Sequence, residues 1–191
     1  MSVSKLAVRV VIGGLFFGHG MQKLTGWFGG GGLEGTDAMM EATDMRPARR
    51  NSIAAGVTEA ASGTLLAAGL ATPVAAAGLI GVMTTAIRKV HGKNGPWNSD
   101  RGWEYNAVLI ATLTALAANG PGRLSLDAAL HRVRSGPQWG FFALAAGVVS
   151  SAVLIELGRR GARATDAGAT NAGTQPPEPP EAEQEEAEDN A

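Results

Sequence analysis

The 191-residue sequence has 17% charged residues and no cysteine, which excludes thiolate chemistry and disulfide exchange by the chain itself. All 16 Lys and Arg residues lie at or before Arg163, whereas eight of the 17 acids follow it. Residues 1–163 therefore have a net charge of +7, with long runs of Ala, Gly, Leu and Val between the charges. This composition excludes an ordinary soluble domain and is typical of a membrane protein.

The first apolar run predicts a transmembrane helix over residues 5–24. No small-x-small cleavage site follows the run, so we expect it to be retained rather than removed as a signal peptide. Arg9 lies near the start of this helix, where its long side chain can reach the lipid headgroups. The next loop is Gly-rich, with Trp27 as an expected interfacial anchor, and it leads to a short amphipathic helix over residues 37–44.

Three further spans follow in the same domain. Residues 52–70 and 74–90 are separated only by the turn Ala71-Thr72-Pro73, which predicts an antiparallel helical hairpin. A polar connection leads to a fourth helix over residues 103–119, which ends at Gly120-Pro121-Gly122 because Gly and Pro interrupt helices.

The domain organisation follows from these runs. We predict an all-α fold: a transmembrane four-helix bundle over residues 1–122, a connecting loop over 123–137, a fifth transmembrane helix over 138–158 and a disordered acidic tail over 164–191. The expected location is the cell membrane, with several passes. Eleven basic residues lie on the face shared by loop one, loop three and the C-terminal flank, and five on the other, so the positive-inside rule places loops one and three in the cytoplasm.

Polar residues gather at one depth of the predicted bundle. Ionisable groups inside a span are costly unless they face the bundle interior and find partners, so they mark candidate sites. Glu59 is expected to pair with Arg88 or a histidine, and the other leaflet offers nothing comparable beyond Arg9 and the arginines of the loop before helix five. The residues that the order of helices places in one leaflet are His19, Glu59, Arg88, His91, Glu104 and Tyr105.

Three stretches together resemble the DoxX family of small membrane proteins. Residues 14–36, with His19, Gln22-Lys23 and the Gly-rich turn, are similar to that family's opening signature. Glu59 with the Gly and Leu residues that follow it resembles the second helix, and residues 91–94 with Gly102-Trp-Glu-Tyr105 resemble the segment joining helices three and four.

The resemblance covers roughly residues 5–120 and implies a four-helix core. It also implies a membrane subunit of a quinone-linked redox or oxidative-stress system, with quinone as the cofactor and a redox protein as a partner besides the lipid bilayer. The candidate polar pocket comprises His19, Gln22, Lys23, Glu59, Arg88, His91, Glu104 and Tyr105. There, His19 with Gln22 and Lys23 would bind a quinone carbonyl or relay protons, and Glu59 would accept a proton or contact the headgroup.

Other interpretations remain open at this point. The same residues also suit solvated helix ends and a structural ion pair, in a non-catalytic membrane anchor or small permeation protein whose acidic tail and basic loops recruit soluble partners. A metal site is disfavoured, because no helix carries the paired ligands, three residues apart, that such bundle sites use. The Gly-rich loop is no phosphate cradle, since no strand precedes it, and we expect no nucleic acid partner.

Overall fold

The computed structural model describes residues 2–173, with side chains for 3–164, and the regular structure in that range is entirely helical. Short 3-10 turns occupy parts of the loops, and a π-helical turn over Ile87–His91 extends the fourth helix. The α-helices are α1 (Ser2–Thr25), α2 (Gly32–Ala42), α3 (Ala48–Ala68), α4 (Thr72–Ala86), α5 (Glu104–Asn119), α6 (Leu126–Ala129) and α7 (Pro137–Gly173).

The predicted all-α fold is confirmed, and each of the five expected long helices is present. Three segments are long and apolar enough to cross a membrane by length and composition: Val3–Thr25, Thr72–Asn94 and Pro137–Ala164. Helix α5 has 16 residues, at the short end of what a bilayer requires, and α3 begins with a basic stretch, so their spanning stays a prediction.

The helices form one bundle in which α1 packs on α3, α3 on α4, and α4 on both α5 and α7. We call the end of the bundle that contains residues 19–59 and 87–106 the loop-one end. The end that contains residues 2–9, 69–73 and 119–137 is called the opposite end. The candidate site residues all lie at the loop-one end, as the sequence predicted.

Glycines allow α1 and α3 to touch along their backbones. A Cβ atom at Gly20 would lie 2.5 Å from the backbone nitrogen of Ala60, and one at Gly63 would lie 2.6 Å from the carbonyl oxygen of Gly13. Gly13 and Gly20 lie seven residues apart, as do Gly56 and Gly63 on α3, so each pair stays on one helix face. Small residues at such contacts are how helices in lipid approach closely.

Helix α7 completes the bundle on the side of α4 and α5. Its Gly147 lies against Ile80, and Thr85 donates a hydrogen bond to Ser151 at 2.9 Å across the α4 and α7 interface. The helix runs to Gly173, so residues 164–173, which the sequence assigned to the tail, are helical. Extending an established helix by an Ala-rich segment avoids the nucleation cost. The remaining predicted tail, 174–191, lies outside the described residues.

A buried polar network joins the segments of the opposite end. It corrects the expectations that Arg9 reaches the headgroups and that this end has no polar cluster comparable to that of the loop-one end. Arg9 does not reach the headgroups: it is 0% exposed, and its Nη2 donates a 2.5 Å hydrogen bond to the Leu124 carbonyl oxygen. Its Nη1 lies against Gly69, where any side chain would collide with it. The opposite end therefore does hold a polar centre, built around a residue of the short helix α6 that sequence reasoning passed over.

That residue is Asp127, whose carboxylate caps the start of α4. It accepts hydrogen bonds from the backbone N–H groups of Ala71 at 3.0 Å and Thr72 at 3.2 Å. A local cap is missing because Ala71 has no side-chain acceptor, so a distant acid satisfies these donors. Asp127 also interacts through space with the Arg9 guanidinium, whose Nε and Nη1 have no hydrogen-bond partner among the described residues.

Candidate functional site: two cavities at the loop-one end

Two cavities meet at His19. The first has a volume of about 130 Å³ and lies between α1, the end of α4 and the start of α5; it is lined by Phe16, His19, Met83, His91, Asn98, Gly102, Tyr105, Asn106 and Leu109. The second, of about 280 Å³, lies under the Gly-rich turn and is lined by His19, Gln22, Lys23, Gly30, Gly31, Gly35, Thr36 and Met39. We call these the histidine cavity and the glycine cavity.

His19 and Gln22 form a short hydrogen-bonded chain between the cavities. The Nδ1 of His19 lies 2.9 Å from Gln22 Oε1, one helical turn away. The Nε2 of Gln22 donates to the Phe28 carbonyl oxygen at 3.3 Å, which fixes the orientation of the amide. The Gly-rich turn that supplies this carbonyl therefore also orients the histidine.

His91 reaches the histidine cavity from the π-helical turn. A π turn contains one residue more than an α turn, so it rotates the side chains that follow it, and such turns are frequent at functional sites. His91 Nδ1 lies 2.7 Å from the carbonyl oxygen of Arg101, which also accepts from Asn94 Nδ2 at 3.2 Å. The connection between α4 and α5 thus holds the ring in place.

Glu59 pairs with Lys23, not with Arg88 or a histidine as the sequence suggested. Lys23 Nζ donates to Glu59 Oε2 at 2.6 Å, and the two side chains are 23% and 3% exposed. Helices α1 and α3 touch along Gly13, Gly20, Gly56 and Gly63, a contact that we call the glycine seam. The neighbouring helix α1 therefore supplies the nearest cation. Glu59 lines neither cavity. Lys23 lines the glycine cavity, so the ion pair connects Glu59 to that cavity.

Two candidate residues have other positions. Arg88 is exposed and lines neither cavity. Glu104 accepts a 2.6 Å hydrogen bond from the backbone N–H of Asn98, so it orders the loop that borders the histidine cavity. The structure therefore brings His19, His91 and Tyr105 together around one cavity, Gln22 and Lys23 around the other, and leaves Glu59, Arg88 and Glu104 outside both.

Sequence reasoning missed part of the histidine cavity. Asn106 is buried in α5, and its Nδ2 lies 3.3 Å from Met83 Sδ on α4. An uncharged amide inside an apolar helix was the available signal, because such groups need a partner in lipid. Phe16 and Leu109 gave no signal, since apolar lining residues look like any other core position. Residues 3–164 contain no group of three His, Asp or Glu side chains placed to hold a metal ion.

Comparison with known proteins agrees with the motifs. Residues 4–92 match the model of the DoxX family. This part of the chain belongs to the DoxX family. An uncharacterized protein of Haemophilus influenzae is 29% identical over 139 residues, which cover 72% of this chain and 89% of that protein. No solved structure matches the chain.

The DoxX match includes α1, α3, α4 and the π-helical turn, and hence His19, Gln22, Lys23, Glu59 and His91. It ends at residue 92, so Tyr105 and Asn106 on α5 complete the histidine cavity from outside the matched region. The DoxX part thus supplies two sides of the cavity and α5 closes it.

Proposed function

We propose that this DoxX family membrane protein is a multi-pass subunit of a quinone-linked redox or oxidative-stress system in the cell membrane, and that the histidine cavity receives the quinone headgroup. The observation that carries the proposal is the convergence of His19, His91 and Tyr105, from three separate segments, on one cavity. Hydrogen-bonding side chains at the rim of an apolar opening are the usual means of orienting a small ring.

The residues present fit such a ring. Phe16, Met83 and Leu109 provide apolar contacts for its faces, and the histidines and Tyr105 provide polar contacts for its edge. The volume of about 130 Å³ lies below that of pockets for drug-sized ligands, so only a headgroup is enclosed. An isoprenoid tail would remain in the surrounding lipid.

The chain's own part in the chemistry is to bind, orient and exchange protons. When bound, a quinone supplies the electron and proton transfer that the chain, without cysteine, lacks. An imidazole ring can accept or release a proton at a ring nitrogen, so His19 and His91 suit proton exchange with a ring oxygen. Electrons would pass to a redox protein partner.

Co-purification of quinone tests the proposal. The protein is purified in mild detergent from its own membranes, and extracted lipids are analysed by mass spectrometry for wild type, His19→Ala and His131→Ala. His131 is the matched control, because it is an exposed histidine at the opposite end. We expect quinone in wild type and His131→Ala and a loss in His19→Ala. Quinone at only the level found with an unrelated membrane protein from the same membranes would contradict the proposal and favour a membrane anchor.

A further inference from the structure

We infer that the histidine cavity prefers the reduced hydroquinone over the oxidised quinone, because three of its polar side chains are held as hydrogen-bond acceptors. The inference rests on the proposed function for the identity of the ring and adds the redox form that is bound. A hydroquinone offers two O–H donors, whereas a quinone offers only carbonyl acceptors. The preference therefore depends on which polar atoms of the cavity carry protons.

His91 is held with its proton on Nδ1. The atom 2.7 Å away is the backbone carbonyl oxygen of Arg101, which can only accept a hydrogen bond, so Nδ1 must be the donor. In the neutral ring the second nitrogen, Nε2, then has a lone pair and no proton. It has no hydrogen-bond partner among the described residues, so it is available as an acceptor.

His19 also has its proton on Nδ1, but here a side chain rather than the backbone accepts it. Gln22 donates through Nε2 to the carbonyl oxygen of Phe28, so its other amide atom, Oε1, must be the one beside His19. This oxygen accepts from His19 Nδ1 and leaves His19 Nε2 unprotonated in the neutral ring. Within the described part of the chain, this Nε2 also has no partner.

Asn106 adds a third acceptor. Its amide N–H donates to Met83 Sδ at 3.3 Å, which orients the side chain and leaves the carbonyl oxygen Oδ1 for a ligand. The other two polar residues of the lining, Asn98 and Tyr105, each have a side chain that can either donate or accept. The three fixed acceptors match the O–H groups of a hydroquinone, whereas the carbonyl oxygens of a quinone would face their lone pairs. Only the two adaptable side chains could donate to a quinone.

Binding of a matched pair of ligands tests the preference. Affinities of decylubiquinol, decylubiquinone and the dimethyl ether of decylubiquinol are measured without oxygen on the full chain in detergent. We expect decylubiquinol to bind about tenfold more tightly than decylubiquinone, since one net hydrogen bond is worth about that factor. The dimethyl ether, which keeps the ring and loses both donors, should bind no better than the quinone. The preference should disappear in His19→Ala and His91→Ala and persist in His131→Ala.

The possible results separate the two claims. Decylubiquinone binding as tightly as decylubiquinol, or more tightly, would overturn the acceptor inference and leave the proposed quinone site standing. Absence of binding by both forms would refute the proposed function and the inference with it.

A second measurement does not depend on any variant folding. Nitrogen NMR of protein labelled with ¹⁵N-histidine reports which ring nitrogen carries the proton. We expect His19 and His91 in wild type to be protonated on Nδ1, with exposed His131 as the reference signal. A proton on Nε2 of either cavity histidine in its neutral form would overturn the inference.

Discussion

The two ends of the bundle use buried polar residues in different ways. At the opposite end Arg9 and Asp127 bind backbone groups and fill space beside Gly69, so they tie segments together. At the loop-one end His19 and His91 line a cavity, and each uses one ring nitrogen for support and leaves the other without a partner among the described residues. Burial alone therefore does not mark a site: the fully buried Arg9 is structural, whereas exposed His19 borders both cavities.

The largest expected effect comes from breaking the network of the opposite end. Asp127→Ala removes the cap of α4 and leaves the buried Arg9 charge without its acid, which should destabilise the protein by about 3–5 kcal/mol. Denaturant unfolding in detergent, followed by tryptophan fluorescence, measures the loss. The quinone content of the folded fraction should stay unchanged. An unfolding midpoint like that of wild type would show that the network contributes little.

The ion pair at the loop-one end should cost less to break. Glu59→Gln should destabilise by about 1.5–3 kcal/mol, because a charged hydrogen bond is lost while the partly exposed Lys23 can still reach water. The double variant Lys23→Met with Glu59→Leu removes both charges and should recover much of the stability. Unfolding midpoints of Lys23→Met, Glu59→Leu and the double variant give the coupling. Additive losses would mean that the pair is not coupled.

The glycine seam holds α1 against α3, so a substitution within it should affect both stability and the cavity beside it. Gly20→Ala places a Cβ 2.5 Å from the Ala60 backbone and should cost about 1–3 kcal/mol and weaken hydroquinone binding, since His19 lies next to it. Gly18→Ala is the matched control, because nothing lies within 4 Å of its new Cβ. Unfolding and ligand titration measure both effects. Equal losses in the two variants would contradict the close contact of the backbones.

The smallest effect is expected at Arg88. Its side chain is exposed and lines neither cavity, so Arg88→Ala should change stability by less than about 0.5 kcal/mol and leave quinone retention unchanged. The same unfolding and co-purification assays apply. Loss of quinone in this variant would return Arg88 to the site that the sequence suggested.

The sequence was sufficient for the helices and for the end of the bundle that holds the polar cluster, because run lengths and helix order determine both. It was insufficient to predict which side chains pair, because pairing depends on how each helix is rotated about its axis. Helix order predicted Glu59 and Arg88 in the same leaflet, yet the glycine contact of α1 with α3 brings Lys23 to Glu59 instead. Arg9 was misjudged because its partners come from a loop more than a hundred residues away.

The most direct test of the account is where a quinone ring binds. Membranes containing the full chain are irradiated with a photoactivatable quinone analogue, and labelled residues are mapped by mass spectrometry, with unlabelled quinone as competitor. We expect competed labelling in α1 near residues 16–19 and around the start of α5 near residues 102–109, which border the histidine cavity. Competed labelling confined to the opposite end, around residues 119–137, would contradict the assignment of function to the loop-one end.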